Sequence, residues 1–259
     1  GAEDKMKVGA CDKSCESDIE IAESEIRRYD SMKSLSETFS KIKRKKGTRI
    51  LVKAGSGEII AKEFASSLSC LKRYGVEVCC VCERMDTEII RLDCFKEGIA
   101  SVVYSGAPED NRFALRLEAD MRMGVIPLVC SHDNIENTLE TVRKMCKFDD
   151  LVYLETEKGI LSSGIGKVKK LSFRRAEIIA GICGKTRICQ AVNVLKSGIS
   201  EVALLDGTSS NALACYVLGS GYKGTVITER RKRDCPIPER KIKCADLSDS
   251  VTQRKKTDS

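Results

Sequence analysis

A lysine at the end of an apolar run, followed at once by small residues, is the first place in this chain where chemistry is concentrated. Arg49 to Glu58 reads RILVKAGSGE. Ile50, Leu51 and Val52, with the stem of Lys53, suit a buried strand, and Ala54, Gly55, Ser56 and Gly57 suit a turn into the helical pattern that follows. A strand that turns into a helix through small residues aims free backbone N–H groups, and the positive end of the helix dipole, at one point. Lys53 adds a full positive charge beside that point, which is how a chain makes a phosphate seat. The stretch is not a P-loop, because the G-x-x-x-x-G-K-[ST] spacing is absent. It also suits a plain strand-to-helix corner in which glycines do no more than fit the bend.

Other catalytic templates depend on His132, the single histidine. It stands just past a strand end in SHDN and reads as turn rather than base. Asp133 has no second carboxylate close in sequence for acid–base work and reads as a helix-cap candidate. The fourteen cysteines would suggest disulfides in a secreted chain. Here Cys79, Cys80 and Cys82 lie in VEVCCVCE and Cys130 ends IPLVC, where buried strands need small apolar groups, so they read as core thiols. Cys11-x-x-x-Cys15 is the sharper spacing for zinc but lacks a second pair, and no metal ligands are assigned.

The 259 residues suit one large α/β domain or two small ones, and 42% apolar content excludes a disordered chain. No apolar run approaches membrane-spanning length and no signal-peptide pattern opens the sequence, so a cytoplasmic protein with no membrane partner is expected. The net charge of +7 is modest and gathers in Lys41 to Lys46, Arg230 to Arg233 and Arg254 to Lys256. Such runs could meet RNA, a ribonucleoprotein or an acidic protein partner. They also suit a solvated helix end and a charged tail, and the aromatics of a stacking surface are missing between them.

The elements that must position these residues alternate. Residues 1 to 17 are polar; a helical pattern runs from Asp18 to about Lys45 and ends at Gly47. Then strand Ile50–Lys53, helix Ala61–Tyr74, strand Val76–Cys82, helix Thr87–Glu97, strand Ala100–Tyr104, helix Arg112–Met123, strand Val125–Cys130, helix Ile135–Cys146 and strand Asp150–Leu154 are expected. Residues 155 to 170 carry Gly159, Gly164 and Gly166 and read as a turn or hairpin. Helices Phe173–Ile182 and Lys185–Ser197, strand Glu201–Leu205, helix Asn211–Leu218 and strand Thr225–Thr228 follow, and from Glu229 on the segment is a charged tail. Such alternation predicts an α/β fold, a three-layer αβα sandwich on a mostly parallel central sheet, with ligands beyond the carboxyl ends of the strands. The expected organisation is 1–47 for the amino-terminal segment and its helix, 48–228 for the sandwich and 229–259 for the tail.

From Gly184 to Thr228 the pattern is more particular. GKTRICQAVNVLKSGISEVALLDGTSSNALACYVLGSGYKGTVIT resembles the carboxyl half of the amino-acid kinase family, with acetylglutamate kinase and the kinase-like domain of acetylglutamate synthases the nearest in kind. In that family a lysine opens a helix after a glycine turn, a strand ends in Asp-Gly, and Gly-Thr precedes the last strand. Lys185, Asp206-Gly207 and Gly224-Thr225 match in order and spacing. Upstream, MRMGVIPLV resembles the family's helix–Gly–x–Ile–Pro strand, DDLVYLETEKGIL its nucleotide-side strand, and VKAGSGE its opening phosphate loop. The match covers roughly residues 25 to 228. It implies an amino-acid kinase-type sandwich, Lys53 and Lys185 as the catalytic lysines, and Gly55, Ser56, Gly57, Asp206 and Gly207 against the nucleotide. If the chain is active, the cofactors are ATP and Mg²⁺. The helix before the first strand is similar to the amino-terminal helix of arginine-sensitive members, where it links subunits, which implies a homo-oligomer.

The departures point elsewhere. The family's His-Gly-Gly-Gly loop after the second strand is here Glu83-Arg84-Met85, whose side chains block the approach of backbone donors and whose glutamate repels an anion. The segment bearing the family's substrate arginine is shortened between Met85 and Val103. Asn134 to Thr138 resembles Asn-x-Asn-Ala-Asp, which puts Thr138 where an aspartate would orient the lysines, and Glu155-Thr156 replaces Thr-Asp. Losing one preorganised donor costs ~10²–10³ in rate. The resemblance therefore implies a degenerate member, a pseudoenzyme with weak or no phosphoryl transfer that serves as a binding, regulatory or structural subunit. A working kinase forming an acyl phosphate with rebuilt loops, for which the turn at Ser105-Gly106 is a candidate, stands beside it, as does an RNA or ribonucleoprotein module.

Overall fold

The computed structural model describes residues 37, 40–55, 63–106, 110–156, 168–184, 187–219 and 221–229. The strands are Arg49–Lys53 (β1), Glu77–Glu83 (β2), Ser101–Ser105 (β3), Ile126–Ser131 (β4), Asp150–Glu155 (β5), Lys170–Ser172 (β6), Glu201–Asp206 (β7) and Gly224–Thr228 (β8). Between them run helices Glu63–Arg73 (α1), Arg84–Lys96 (α2), Asn111–Arg122 (α3), Ile135–Met145 (α4), Phe173–Cys183 (α5), Arg187–Lys196 (α6) and Ala212–Leu218 (α7). All eight strands join one sheet in the order β3-β4-β2-β1-β5-β7-β8-β6. β1 lies at its centre, parallel to β2 and β5, with Val52 opposite Cys80 and Val152. Only the β7–β8 pair is antiparallel.

Period-two alternation explains why the strands read as continuous apolar runs: both faces are covered. Ile50, Val52, Cys80 and Cys82 point to one face and pack with Leu68 of α1, Ile90 of α2 and Leu213 of α7. Leu51, Cys79, Val81 and Tyr153 point to the other, with Leu117 of α3, Val142 of α4 and Ile188 of α6. The thiols of Cys79, Cys80 and Cys82 are fully buried, and burial pushes each of them well above the ordinary thiol range. They pack as small hydrophobes, as their place in the strand pattern requires. Each such residue carries little polar surface, whereas a fully buried Leu or Ile contributes ~1.5–3 kcal/mol. Leu51, Ile50 and Leu151 at the sheet centre therefore supply the larger share.

At two positions the backbone demands glycine. Gly75 closes α1 at φ 72°. Gly224 opens β8 at φ 131°, and a Cβ there would run into the Leu204 carbonyl oxygen on the neighbouring strand.

Several expectations are corrected. β6 is a strand that the pattern did not announce; most of the preceding glycine-rich stretch, 157–167, lies outside the described residues. α2 starts at Arg84, directly on the end of β2, rather than at Thr87. The cap of α4 is Asn134, not Asp133: at φ −131° its side-chain oxygen accepts from the Glu136 and Asn137 amides at 2.9 and 3.2 Å. The Lys41 to Lys46 run is only partly solvated. Lys43, Arg44 and Lys46 are exposed, but Lys45 is buried, with Nζ 2.5 Å from Asp150 Oδ2, 2.8 Å from Glu201 Oε1 and 3.1 Å from Tyr216 Oη. Lys41, one turn earlier on the same face, donates to Gly219 O at 3.0 Å. Residues 40–45 are helical, so two lysines of this run tie the helical segment to the amino ends of β5 and β7 and to the end of α7. The rest of the expected amino-terminal helix, apart from residue 37, and all of 230–259 lie outside the described residues. No helix among the described residues is long and apolar enough to cross a membrane.

Candidate functional site

The carboxyl ends of β2, β1, β5 and β7 lie side by side, and the residues singled out by spacing gather there. Lys53 ends β1. It has the same parity as Leu51 and lies in register with Tyr153, so it faces the layer of α4 and α6. Its side chain does not reach freely into solvent, as a strand-end lysine would. It is buried, with Nζ 2.9 Å from Glu136 Oε1 and 3.2 Å from Glu155 Oε1. Arg187, the first residue of α6, grips the same two carboxylates: its Nη1 lies 2.7 Å from Glu136 and its Nη2 2.6 Å from Glu155. The guanidinium also stacks over Tyr153, 4.7 Å from the ring centre. Two cations and two anions thus close a ring across four elements.

The electrostatics of the ring are those of a satisfied network. Burial alone would raise the Glu136 carboxyl, but hydrogen bonds from Lys53 and Arg187 outweigh it and hold the group below its ordinary range. Burial likewise works against the Arg187 charge and is outweighed by Glu136 and Glu155, so its pKa is raised. Neither Glu136 nor Arg187 was singled out in sequence. Their only local signals are a glutamate in the first turn of a helix capped by Asn134 and an arginine at a helix start two residues after Lys185.

The second cluster is at the end of β7. Asp206 is buried, in register with Glu155, and the Gly207 amide donates to Glu155 O at 2.9 Å, so Asp206-Gly207 and Lys53 flank β5 on its two sides. The Asp206 carboxylate is used inside its own turn: Oδ1 accepts from Thr208 N at 3.1 Å and Thr208 Oγ1 at 2.5 Å, and Oδ2 from Ser209 Oγ at 2.9 Å. Gly55 follows β1, half-buried. Ser56, Gly57 and Lys185 lie outside the described residues.

The places where glycine or aspartate was missed behave as follows. Glu83, Arg84 and Met85 are all exposed, and the strand passes to α2 with no loop between them. Thr138 is buried with its hydroxyl 3.1 Å from Ser131 Oγ and 3.2 Å from Asn134 O. Gly106 does not swing toward β2: its amide donates to Cys130 O at 3.0 Å and pins the end of β3 to β4. His132 stands in the bend after β4 with Nε2 2.8 Å from Ser105 Oγ, on an exposed surface. Among the described residues no group of three or more His, Cys, Asp and Glu side chains is placed to hold a metal ion; Cys11 and Cys15 lie outside them.

A comparison with protein-family models finds no match. A comparison with curated proteins finds none either. Solved structures do match. An N-acetylglutamate synthase from Neisseria gonorrhoeae, complexed with coenzyme A and N-acetyl-glutamate, superposes with a TM-score of 0.60 at 15% identity, over 77% of this chain and 64% of that one. The same synthase with coenzyme A and L-arginine gives 0.58 at 16% identity, over 76% of this chain and 65% of that one. The present chain therefore spans less than two thirds of the synthase. UMP kinase from Ureaplasma parvum gives 0.53 at 9% identity, over 71% of this chain and 99% of that one. At these identities the likeness is one of fold, and the fold is that of the amino-acid kinases.

Proposed function

We propose that the chain is a degenerate, acetylglutamate kinase-like protein with weak or no phosphoryl transfer, working as a binding, regulatory or structural subunit. The observation that carries this reading is the closed ring around Lys53. Acyl-phosphate formation from a carboxylate and ATP asks for cations free to neutralise the transferred group and for donors aligned on both sides of it. Here the lysine at the end of β1 is engaged by Glu136 and Glu155, and Arg187 is engaged by the same pair. A triphosphate entering beside Lys53 would meet two carboxylates before it met an unpaired cation. The described residues do not fit Mg²⁺–ATP at this position, and no step is derived through it. The direct passage of β2 into α2 and the engaged amide of Gly106 support the same reading from the opposite wall.

The test is a hydroxamate assay of the purified chain with ATP, Mg²⁺ and N-acetylglutamate. The expected result is no acyl phosphate above the protein-free blank. Substantial turnover that Lys53→Ala and Lys185→Ala both abolish would overturn the reading in favour of an active kinase.

A further inference from the structure

Helix α2 carries two apolar faces where a surface helix needs one. Thr87, Ile90 and Cys94 are buried against the sheet. On the opposite side Met85 is 83% exposed, Ile89 50%, Leu92 49% and Phe95 80%. At 100° per residue these four fall within an arc of about 120°, the width of a packing face. Scattered single hydrophobes on a surface need no explanation, but a contiguous stripe of four large ones does. From the observations on this stripe we propose that α2 pairs with α2 of a second copy of the chain, antiparallel across a two-fold axis.

The arrangement of the stripe argues for a second copy rather than a foreign helix. Its spacing, Met-x₃-Ile-x₂-Leu-x₂-Phe, is nearly the same read in either direction, with long flexible or aromatic side chains at the ends and branched aliphatics between. Antiparallel packing sets Met85 against Phe95 of the second copy and Ile89 against its Leu92, which is the self-complementarity that an isologous interface requires. Glu88 and Arg91, which pair within the helix at 2.8 Å, border the stripe on one side. In the same register Glu88 of each copy stands beside Arg91 of the other. The size is sufficient: at roughly 200 Å² a residue the stripe removes about 500 Å² per copy and about 1,000 Å² in all, the threshold of a specific interface. The surface is distinct from the amino-terminal helix, and its pairing does not depend on whether phosphoryl transfer survives.

The experiment is sedimentation equilibrium on the full chain, on Met85→Glu, on Phe95→Lys and on an equimolar mixture of the two variants, each checked by a thermal melt. Both substituted side chains are exposed, so the melts should not change. The wild type is expected at twice the chain mass, each variant alone at the chain mass, and the mixture again at twice the mass, because one opposite-charge contact and one native contact are then formed. A monomeric wild type, or a dimer that ignores both substitutions, overturns the proposal; a mixture that stays monomeric overturns the antiparallel register.

Discussion

Lys45 Nζ lies 2.5 Å from Asp150 Oδ2, a contact between residues 105 positions apart that fastens the segment ahead of β1 to the start of β5. The same ammonium serves Glu201, and Tyr216 completes the cluster. Burial raises Asp150, while burial at Glu201 is outweighed by Lys45, so Glu201 falls below its ordinary range. Lys45→Met would leave two buried carboxylates facing each other without a counter-charge. The expected loss is about 3–5 kcal/mol by urea denaturation. Arg91→Met, which breaks an exposed pair, should cost under about 1 kcal/mol. Equal losses would mean that Lys45 is not the anchor.

The ring around Lys53 gives a gain-of-binding prediction. Replacing Glu136 and Glu155 together by glutamine keeps the shape of the site and removes its two negative charges. Lys53 and Arg187 then become available to an anion. Tripolyphosphate, titrated calorimetrically, should bind the double variant about tenfold or more tightly than the wild type, since opposite charges ~4 Å apart near a protein surface attract by several kcal/mol. Unchanged affinity would show that the two carboxylates are not what blocks the seat.

Glu136 also sets a pH dependence. Its folded pKa lies below the 4.5 of a free glutamate, so the folded chain binds fewer protons at this site than the unfolded chain. Its share of stability is complete above that value and disappears as pH falls through the lower folded value. Urea midpoints of wild type and Glu136→Gln, compared from neutral pH into acid, should differ most at neutral pH and converge below 4.5. A gap that widens in acid would contradict the assignment.

Gly224 and Gly98 separate backbone strain from crowding. Both hold positive φ, 131° and 68°, but a Cβ at Gly98 meets nothing within 4 Å, while one at Gly224 meets the Leu204 carbonyl. Gly98→Ala should cost about 1 kcal/mol. Gly224→Ala should cost that and several kcal/mol more, or fail to fold, as the β7–β8 pair is forced apart. Comparable melting temperatures for the two variants would contradict this.

The order of strands and helices was legible because periodicity reports which face of an element is buried. VEVCCVCE and RILVK announced central strands, and both are central. Lys53 was legible for a local reason as well, standing where an apolar run meets small residues. What spacing does not report is the neighbour across the sheet. Nothing in KIKRKK distinguishes Lys45 from Lys43 until Asp150 and Glu201 are brought beneath it. The partners of Lys53 come from α4 and β5, more than eighty residues away, so the ring was invisible although its centre was not. Asp133 and Asn134 are both good caps by type, and only the backbone path after β4 decides for Asn134. β6, a three-residue strand beside β8, is too short to show a period.

The ring has one more consequence, for molecules that have not yet touched the protein. Lys53 and Arg187 against Glu136 and Glu155 sum to no charge, so the mouth of this cleft casts almost no field beyond its own rim. A polyanion diffusing past is neither drawn in nor turned away, and its encounters with the cleft proceed at the unassisted rate of two neutral surfaces.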